Sequence, residues 1–366
     1  MSFHDMDVKE LLGARVLPAA VGSGASMVRW GLFGILLLYS LYMLQQKKLS
    51  ISQPVSLLVI FYFLQFLYAL VDGVDYLRFL ALTGFCLLLP PIIGKVFQQN
   101  NNILKYFVNA ILLFLIISVV LNGHLILAGQ RFFGFMSNSN AYGIATIFWL
   151  VIIMLANRNK LIHRYYFNVL LLLILATAFF SGSRNAVVGC VLILGFNYIA
   201  EIGKFAKLAV FSIISAIILS YFIDLSFLLS RFSDIADAAS SSGRQDIWDS
   251  AAFMIDKNLW WGNGMDAHLL ITGYGNMHNC YIRFVLNMGL FFTILVVLTY
   301  FLSILSVFLS KRAVPLILPG YLLVYAVMNV GEDFFVGLGS VAFIYMLFIL
   351  GFINYYITRP PSVNQS

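Results

Sequence analysis

Charge is the scarcest property of this sequence. Asp, Glu, Lys and Arg together make up 10% of its 366 residues, against about a quarter in soluble domains. That excludes an ordinary water-soluble globule. Cysteine is nearly absent: Cys86 and Cys190 fall inside apolar runs and Cys280 opens one. No pair has disulfide or metal-motif spacing, which argues against cysteine chemistry. A Gly-rich phosphate loop of the GxxxxGK type is missing, so direct ATP use is unsupported. The one Asp-x-Asp, Asp5-Met6-Asp7, sits on a polar tail, a weak setting for a metal-nucleotide-sugar motif. The formal charge of +7 is not gathered into a basic stripe interleaved with aromatics, so nucleic acid is not an expected partner. The opening stretch is mixed in charge and holds no uninterrupted apolar core, unlike a cleaved signal peptide.

What is present is apolar. Hydrophobic residues make up 61% of the chain, in continuous runs of roughly 20 residues, the length that crosses a bilayer as helix. Their continuity excludes barrel strands, which alternate. The fold expected is therefore all-α, a polytopic transmembrane helix bundle of about eleven spans. They lie near 28–45, 51–70, 76–97, 103–127, 141–156, 165–182, 186–200, 206–229, 279–310, 314–331 and 338–357. A short re-entrant piece before Arg29 would raise the number to twelve. Pro90-Pro91 and Gly94 predict a kink or break late in the third span. With no repeat, linker or low-complexity tract, residues 1–366 read as a single transmembrane domain, with 230–278 as its main polar loop.

The polar connections alternate in charge. Lys47-Lys48, Lys95 with Lys105, Arg158-Lys160-Arg164, Lys204-Lys207, Lys311-Arg312 and Arg359 occupy every second one. Those between hold Asp72 and Asp75, Arg131, Arg184, the 230–278 interval, and Glu332-Asp333. By the positive-inside rule the first set is cytoplasmic, and the C-terminus with it. The long interval is then external, in the periplasm of a Gram-negative cell. The N-terminal tail fits least, since an odd number of spans places it outside despite Lys9 and Arg15.

Chemistry is expected on that external side. Arg131, in QRFFGFMSNSNAYG, reads two ways: a guanidinium holding a phosphate, or a snorkelling side chain beside asparagines that cap the next helix. Arg184 sits in SGSRN between two spans with almost no loop, near hydrocarbon, where an ionisable residue is by default a functional hypothesis. Interfacial anchoring is the bland alternative. Arg231 follows the eighth span. From Arg244 to about Lys257, Ile247, Trp248, Ala251, Met254 and Ile255 recur at helical spacing, which reads as an amphipathic helix on the bilayer, capped by Ser242 or Gly243. Trp260 and Trp261 would anchor its end. Arg244 opposes the dipole at the helix start, a conflict that a bound anion would resolve.

His278 stands at the start of the next span, beside Asn279 and after the GYGNM turn. An imidazole there suits taking a proton from a sugar hydroxyl, although a His at a helix start is more often an ordinary polar residue. Glu332 and Asp333 could orient it or bind an acceptor; an ordinary polar turn is equally consistent. His4, His124, His163 and His268 lack a motif, and no two histidines have metal-ligand spacing, so neither a metal nor a cofactor is expected. A lipid-glycan flippase would need ionisable residues near mid-membrane or a pair of broken helices in matching halves; the charges lie instead at the rim.

Taken together, Gly243-Arg244, Trp248, Gly262-Asn263-Gly264, His278-Asn279, Tyr281 and Gly289, with SGSRNA and RFFGFMSNSNAYG upstream, resemble the O-antigen ligase/polymerase superfamily of integral-membrane glycosyltransferases. The resemblance implies an undecaprenyl-diphosphate-linked oligosaccharide donor, transferred onto a sugar hydroxyl outside the inner membrane without metal or nucleotide, inverting the anomeric carbon. It implies His278 as base, Glu332 or Asp333 as its acidic partner, Arg184, Arg231 and Arg244 on the diphosphate, and Arg131, Asn279 and Tyr281 among the substrate-binding positions. The partners it implies are membrane lipid and a lipid-linked acceptor; a chain-length regulator is a further partner it allows. The short external loop and compact chain point to a polymerase acting on another lipid-linked repeat unit, with a ligase acting on lipid A-core as the alternative. Arg283 and Asn287 depart from the family pattern, which often has acids there.

Overall fold

A computed structural model describes residues 49–100, 102–134, 136, 139–198, 244–272, 277–336 and 340–359, with scattered positions between 31 and 46. Among these residues the structure is all-α. The helices are α1 (Gln53–Asp72), α2 (Tyr76–Gln99), α3 (Ile103–Leu127), α4 (Ser139–Arg158), α5 (Arg164–Phe180), α6 (Arg184–Tyr198), α7 (Arg244–Lys257), α8 (Ala267–Thr272), α9 (Cys280–Phe308), α10 (Ile317–Met328) and α11 (Val341–Thr358). A 3-10 turn, Phe334–Val336, precedes α11. Helices α1 to α4, α9 and α11 are long and apolar enough to cross a membrane; α5, α6 and α10 are shorter apolar helices. Nine of the expected spans thus correspond to helices with ends moved by a few residues. The expected span 28–45 falls largely, and 206–229 wholly, outside the described residues.

The bundle is organised around α4, in which every residue from Tyr142 to Ala156 is buried. It packs against α3, α5, α6, α10 and α11. A second group, α1, α2, α9 and α11, joins it through α11. Small residues set the crossing of α2 and α11. A Cβ on Gly94 of α2 would lie 2.9 Å from the Gly351 carbonyl oxygen of α11, so only glycine lets these backbones meet, the usual device between membrane helices. Outward faces stay apolar: Leu113, Phe114 and Val120 on α3, and Ile294, Leu298 and Leu305 on α9, are exposed, as lipid-facing residues must be.

Where a kink or break is expected late in the third span, the helix is not broken. Helix α2 continues through Pro90-Pro91 to Gln99. The interruption lies in α9, at Gly289 (φ 74°, ψ 171°), a conformation essentially reserved for glycine. The WWGNG turn runs against this break. Leu259 O accepts from Leu290 N (2.7 Å) and Leu286 O from Asn263 N (2.9 Å). A Cβ on Gly262 would strike the Asn287 carbonyl, and one on Gly289 the Trp260 carbonyl.

Helix α7 has the predicted limits, but its apolar face does not lie on the bilayer. Ala251 is fully buried with Ala267, Met277 and Leu286, and Ile247, Met254 and Ile255 pack against them. The stripe is used up by α8 and the first turns of α9. What remains for a membrane interface is Phe253, Trp260 and Trp261, which are 64%, 58% and 68% exposed.

One end of the bundle gathers the α1–α2 turn, the α3–α4 connection, the tight α5–α6 turn, α7, α8, the start of α9 and the α10–α11 connection. All acidic side chains among the described residues belong to this end. The opposite end carries Arg158, Lys160, Arg164, Lys311, Arg312 and Arg359.

A polar candidate active site built from four connections

His278 stands immediately before α9 in left-handed backbone conformation (φ 51°). That is unfavourable for a residue with a Cβ, and the neighbouring residues hold it. Asn279 caps α9: its Oδ1 accepts from Tyr281 N (3.0 Å) and Ile282 N (3.1 Å). On the other side the Met277 peptide is clamped twice. Its N–H donates to Asp333 Oδ2 (2.8 Å), and its carbonyl accepts from Trp248 Nε1 of α7 (3.0 Å). With both flanks fixed, the imidazole is presented rather than buried, its side chain 32% exposed.

Glu332 lies behind it, 7% exposed. Its Oε2 is 3.9 Å from His278 Nδ1, ion-pair range when the ring is protonated and beyond a hydrogen bond. Such contacts often tighten only when substrate is bound. Glu332 Oε1 accepts from Asn140 Nδ2 (3.0 Å). Asn140 Oδ1 accepts from an Arg131 guanidinium nitrogen (3.1 Å), and Arg131 Nε donates to Ser181 O (3.1 Å). The Arg131 loop is held against the end of α5, Phe132 N donating to Phe180 O (2.9 Å). Asn122 Nδ2 in turn donates to Gly134 O (2.7 Å). Arg131, the α5–α6 turn, the start of α4 and the α10–α11 connection therefore converge on one carboxylate.

The remaining predicted residues divide. Arg184 opens α6, next to Asn185. A Cβ on Gly331 would lie 3.1 Å from Asn185 Nδ2, so this helix start adjoins the Glu332 loop. Arg244 opens α7, one turn before the Trp248 that reaches Met277. Arg231 lies outside the described residues, as do Ser242 and Gly243. Tyr281 donates its hydroxyl to Ala326 O on α10 (2.8 Å), and Asn279 is engaged as a cap. Both brace the start of α9. Asp333 pairs with Arg283 (3.3 Å), both side chains being under a tenth exposed.

That pair opens onto a cluster missing from the sequence reading. Arg283 also meets His268 Nε2 (2.6 Å), and Asn287 meets His268 Nδ1 (3.1 Å). Burial, then the positive charges of Arg283 and Arg78, lower the His268 pKa to about 3, so its ring is neutral and accepts from Arg283. Burial raises the Asp333 carboxyl above its ordinary range, against the pull of Arg283. Asp72 completes this side, its Oδ2 accepting from Met265 N (2.7 Å). Asn140 was missed because it looks like one of several caps in SNSNAYG. Arg283 carried a usable signal: it is an ionisable residue one turn inside an apolar run.

Fold and site together define an all-helical, multi-pass membrane protein with a His–Glu pair at one end of its bundle. Residues 169–297, from within α5 into α9, match the family model described as O-Antigen ligase. That match covers less than half of the chain; it supports the O-antigen ligase/polymerase superfamily and, with it, glycan transfer. No curated protein and no solved structure is a match.

Proposed function

We propose that this protein is an O-antigen polymerase, moving a glycan from undecaprenyl diphosphate to a sugar hydroxyl of a second lipid-linked repeat unit on the periplasmic face of the inner membrane. The observation that carries the reading is the His278–Glu332 pair at the rim of the bundle, with Arg184 and Arg244 opening the helices beside it. His278 takes the acceptor hydroxyl proton, the oxygen attacks the anomeric carbon, and the bond to the diphosphate breaks with its electron pair on the leaving oxygen. A single displacement of this kind inverts the centre. Arginines at the rim meet the charge that grows on the diphosphate. Among the described residues the opposite end holds Lys and Arg without any acid, which supports an outward-facing site by the positive-inside rule.

The description of the matched family model favours a second reading, an O-antigen ligase with lipid A-core as acceptor. Gel analysis of surface polysaccharide in a deletion strain separates them. Core carrying one repeat unit means polymerase; bare core with polymer still on its lipid carrier means ligase. Normal polysaccharide removes both. Complementation with His278→Ala should fail although the protein inserts normally, and retained transfer removes His278 as the base.

A further inference from the structure

We infer that Arg131 and Asn140 act as positioning residues for the Glu332–His278 pair, and that Arg131 serves transfer through this relay rather than by gripping the donor diphosphate. The inference rests on the reading of His278 as base. Arg131 spends its Nε on the Ser181 carbonyl and a terminal nitrogen on Asn140 Oδ1. Both contacts point into the protein, and the second continues through Asn140 Nδ2 to Glu332 Oε1 (3.0 Å). An amide whose oxygen is held by a guanidinium has its NH2 aimed in one direction, and a carboxylate that accepts from it has one oxygen fixed. The other oxygen, Oε2, is the one 3.9 Å from His278 Nδ1.

The elements that carry the relay are independently anchored. Arg131 is tied to the end of α5 by its own side chain and by Phe132 N. Asn140 lies in the first turn of α4, the most enclosed helix of the bundle. Glu332 itself sits on a short connection that Gly331 lets settle against Asn185. Without Asn140 this carboxylate would lose the neutral donor that holds Oε1 and would be free to rotate away from the ring. The sequence alternatives for Arg131, a phosphate ligand or a snorkelling anchor, give way to a third role.

The test uses full-length protein in detergent and, as donor, the lipid-linked glycan extracted from the deletion strain. Asn140→Asp is close in shape but replaces the NH2 donor by a second carboxylate oxygen facing Glu332; Asn140→Ala removes both groups without adding charge. Each should lower kcat about tenfold or more, in the range a displaced general base loses, with donor KM unchanged. Arg131→Ala should match them, and the double variant Arg131→Ala with Asn140→Ala should be no worse than either alone, since members of one unit do not add. If Arg131→Ala raises donor KM and spares kcat, Arg131 is a donor ligand and the assignment is overturned. If Asn140→Asp and Asn140→Ala keep wild-type kcat while His278→Ala is inactive, the relay fails and the base stands. If His278→Ala is active, the base reading fails first. Should an Asn140 variant not accumulate in the membrane, Arg131→Lys, which keeps the charge and loses the fork, is read by the same kcat and KM criteria.

Discussion

Replacing Gly289 by alanine tests whether the broken α9 is what holds the candidate site together. At φ 74° and ψ 171° an alanine is strained by about 1–3 kcal/mol. Its Cβ would also meet the carbonyl of Trp260 and the amide of Gly262, which are backbone atoms and cannot swing aside. Forced overpacking adds about 1–3 kcal/mol. The sum, about 2–6 kcal/mol, is enough to undock the WWGNG turn from α9. Gly84 supplies the control: it is helical, and a Cβ there meets nothing within 4 Å. Gly84→Ala should therefore stabilise, by about 0.5–1 kcal/mol. Thermal unfolding in detergent, followed by tryptophan emission and by protease cleavage near Trp260-Trp261, should show a lowered midpoint for Gly289→Ala and a raised one for Gly84→Ala. Transfer should fall with the first and persist with the second. If Gly289→Ala unfolds at the wild-type midpoint, the docking described for the turn is wrong.

Four further outcomes are expected. His268 is neutral in the fold with its pKa lowered to about 3, so its stabilising effect is present above the unfolded value near 6.5 and is lost as pH falls below it. At pH 5 that amounts to about 2 kcal/mol, and His268→Gln, which can still accept from Arg283, should abolish this part of the acid slope in an unfolding titration; an unchanged slope refutes it. Trp248→Phe removes the indole donor to Met277 O, about 0.5–1.5 kcal/mol, and should lower kcat several-fold without altering insertion. Arg244→Lys should reduce transfer about tenfold, because an ammonium cannot form the bidentate fork on a diphosphate; full activity would make Arg244 an interfacial anchor. Asp256→Cys, on the exposed side of α7, should react with a membrane-impermeant maleimide in intact spheroplasts, the native cysteines described being buried. Labelling only after lysis would reverse the sidedness.

Periodicity and run length made most of the fold readable. Nine apolar helices and α7 could be drawn from the sequence because lipid demands long apolar runs and a soluble-facing helix needs one stripe. The destination of that stripe was not readable: Ala251 and Ile255 could have met lipid as well as α8 and α9, and only the packing of distant segments decides. The break in α9 shows the same limit. Gly289 stood in a recognised motif, yet proline was the more visible signal, and Pro90-Pro91 is absorbed in a continuous helix. In the site, His278 and Glu332 were legible as polar residues at helix ends. Asn140 was not, since its meaning comes from Arg131 on one side and Glu332 on the other, three positions that no local spacing connects. The pairing of Asp333 with Arg283 likewise needed the structure to separate two adjacent acids into one that faces the imidazole and one that braces the chain behind it.

The crossing of α2 and α11 at Gly94 and Gly351 also sets an order of assembly. Ser52 N, at the start of α1, donates to Asn354 Oδ1 of α11, a bond that spans 302 positions of chain. Until α11 leaves the ribosome, the small-residue seam of α2 has no partner and the α10–α11 connection has no far anchor. The carboxylate of Glu332 can then take up its place beside His278 only at a late stage of synthesis. A glycan carrier already present in the bilayer would meet a competent site only after the two groups of helices had closed on each other.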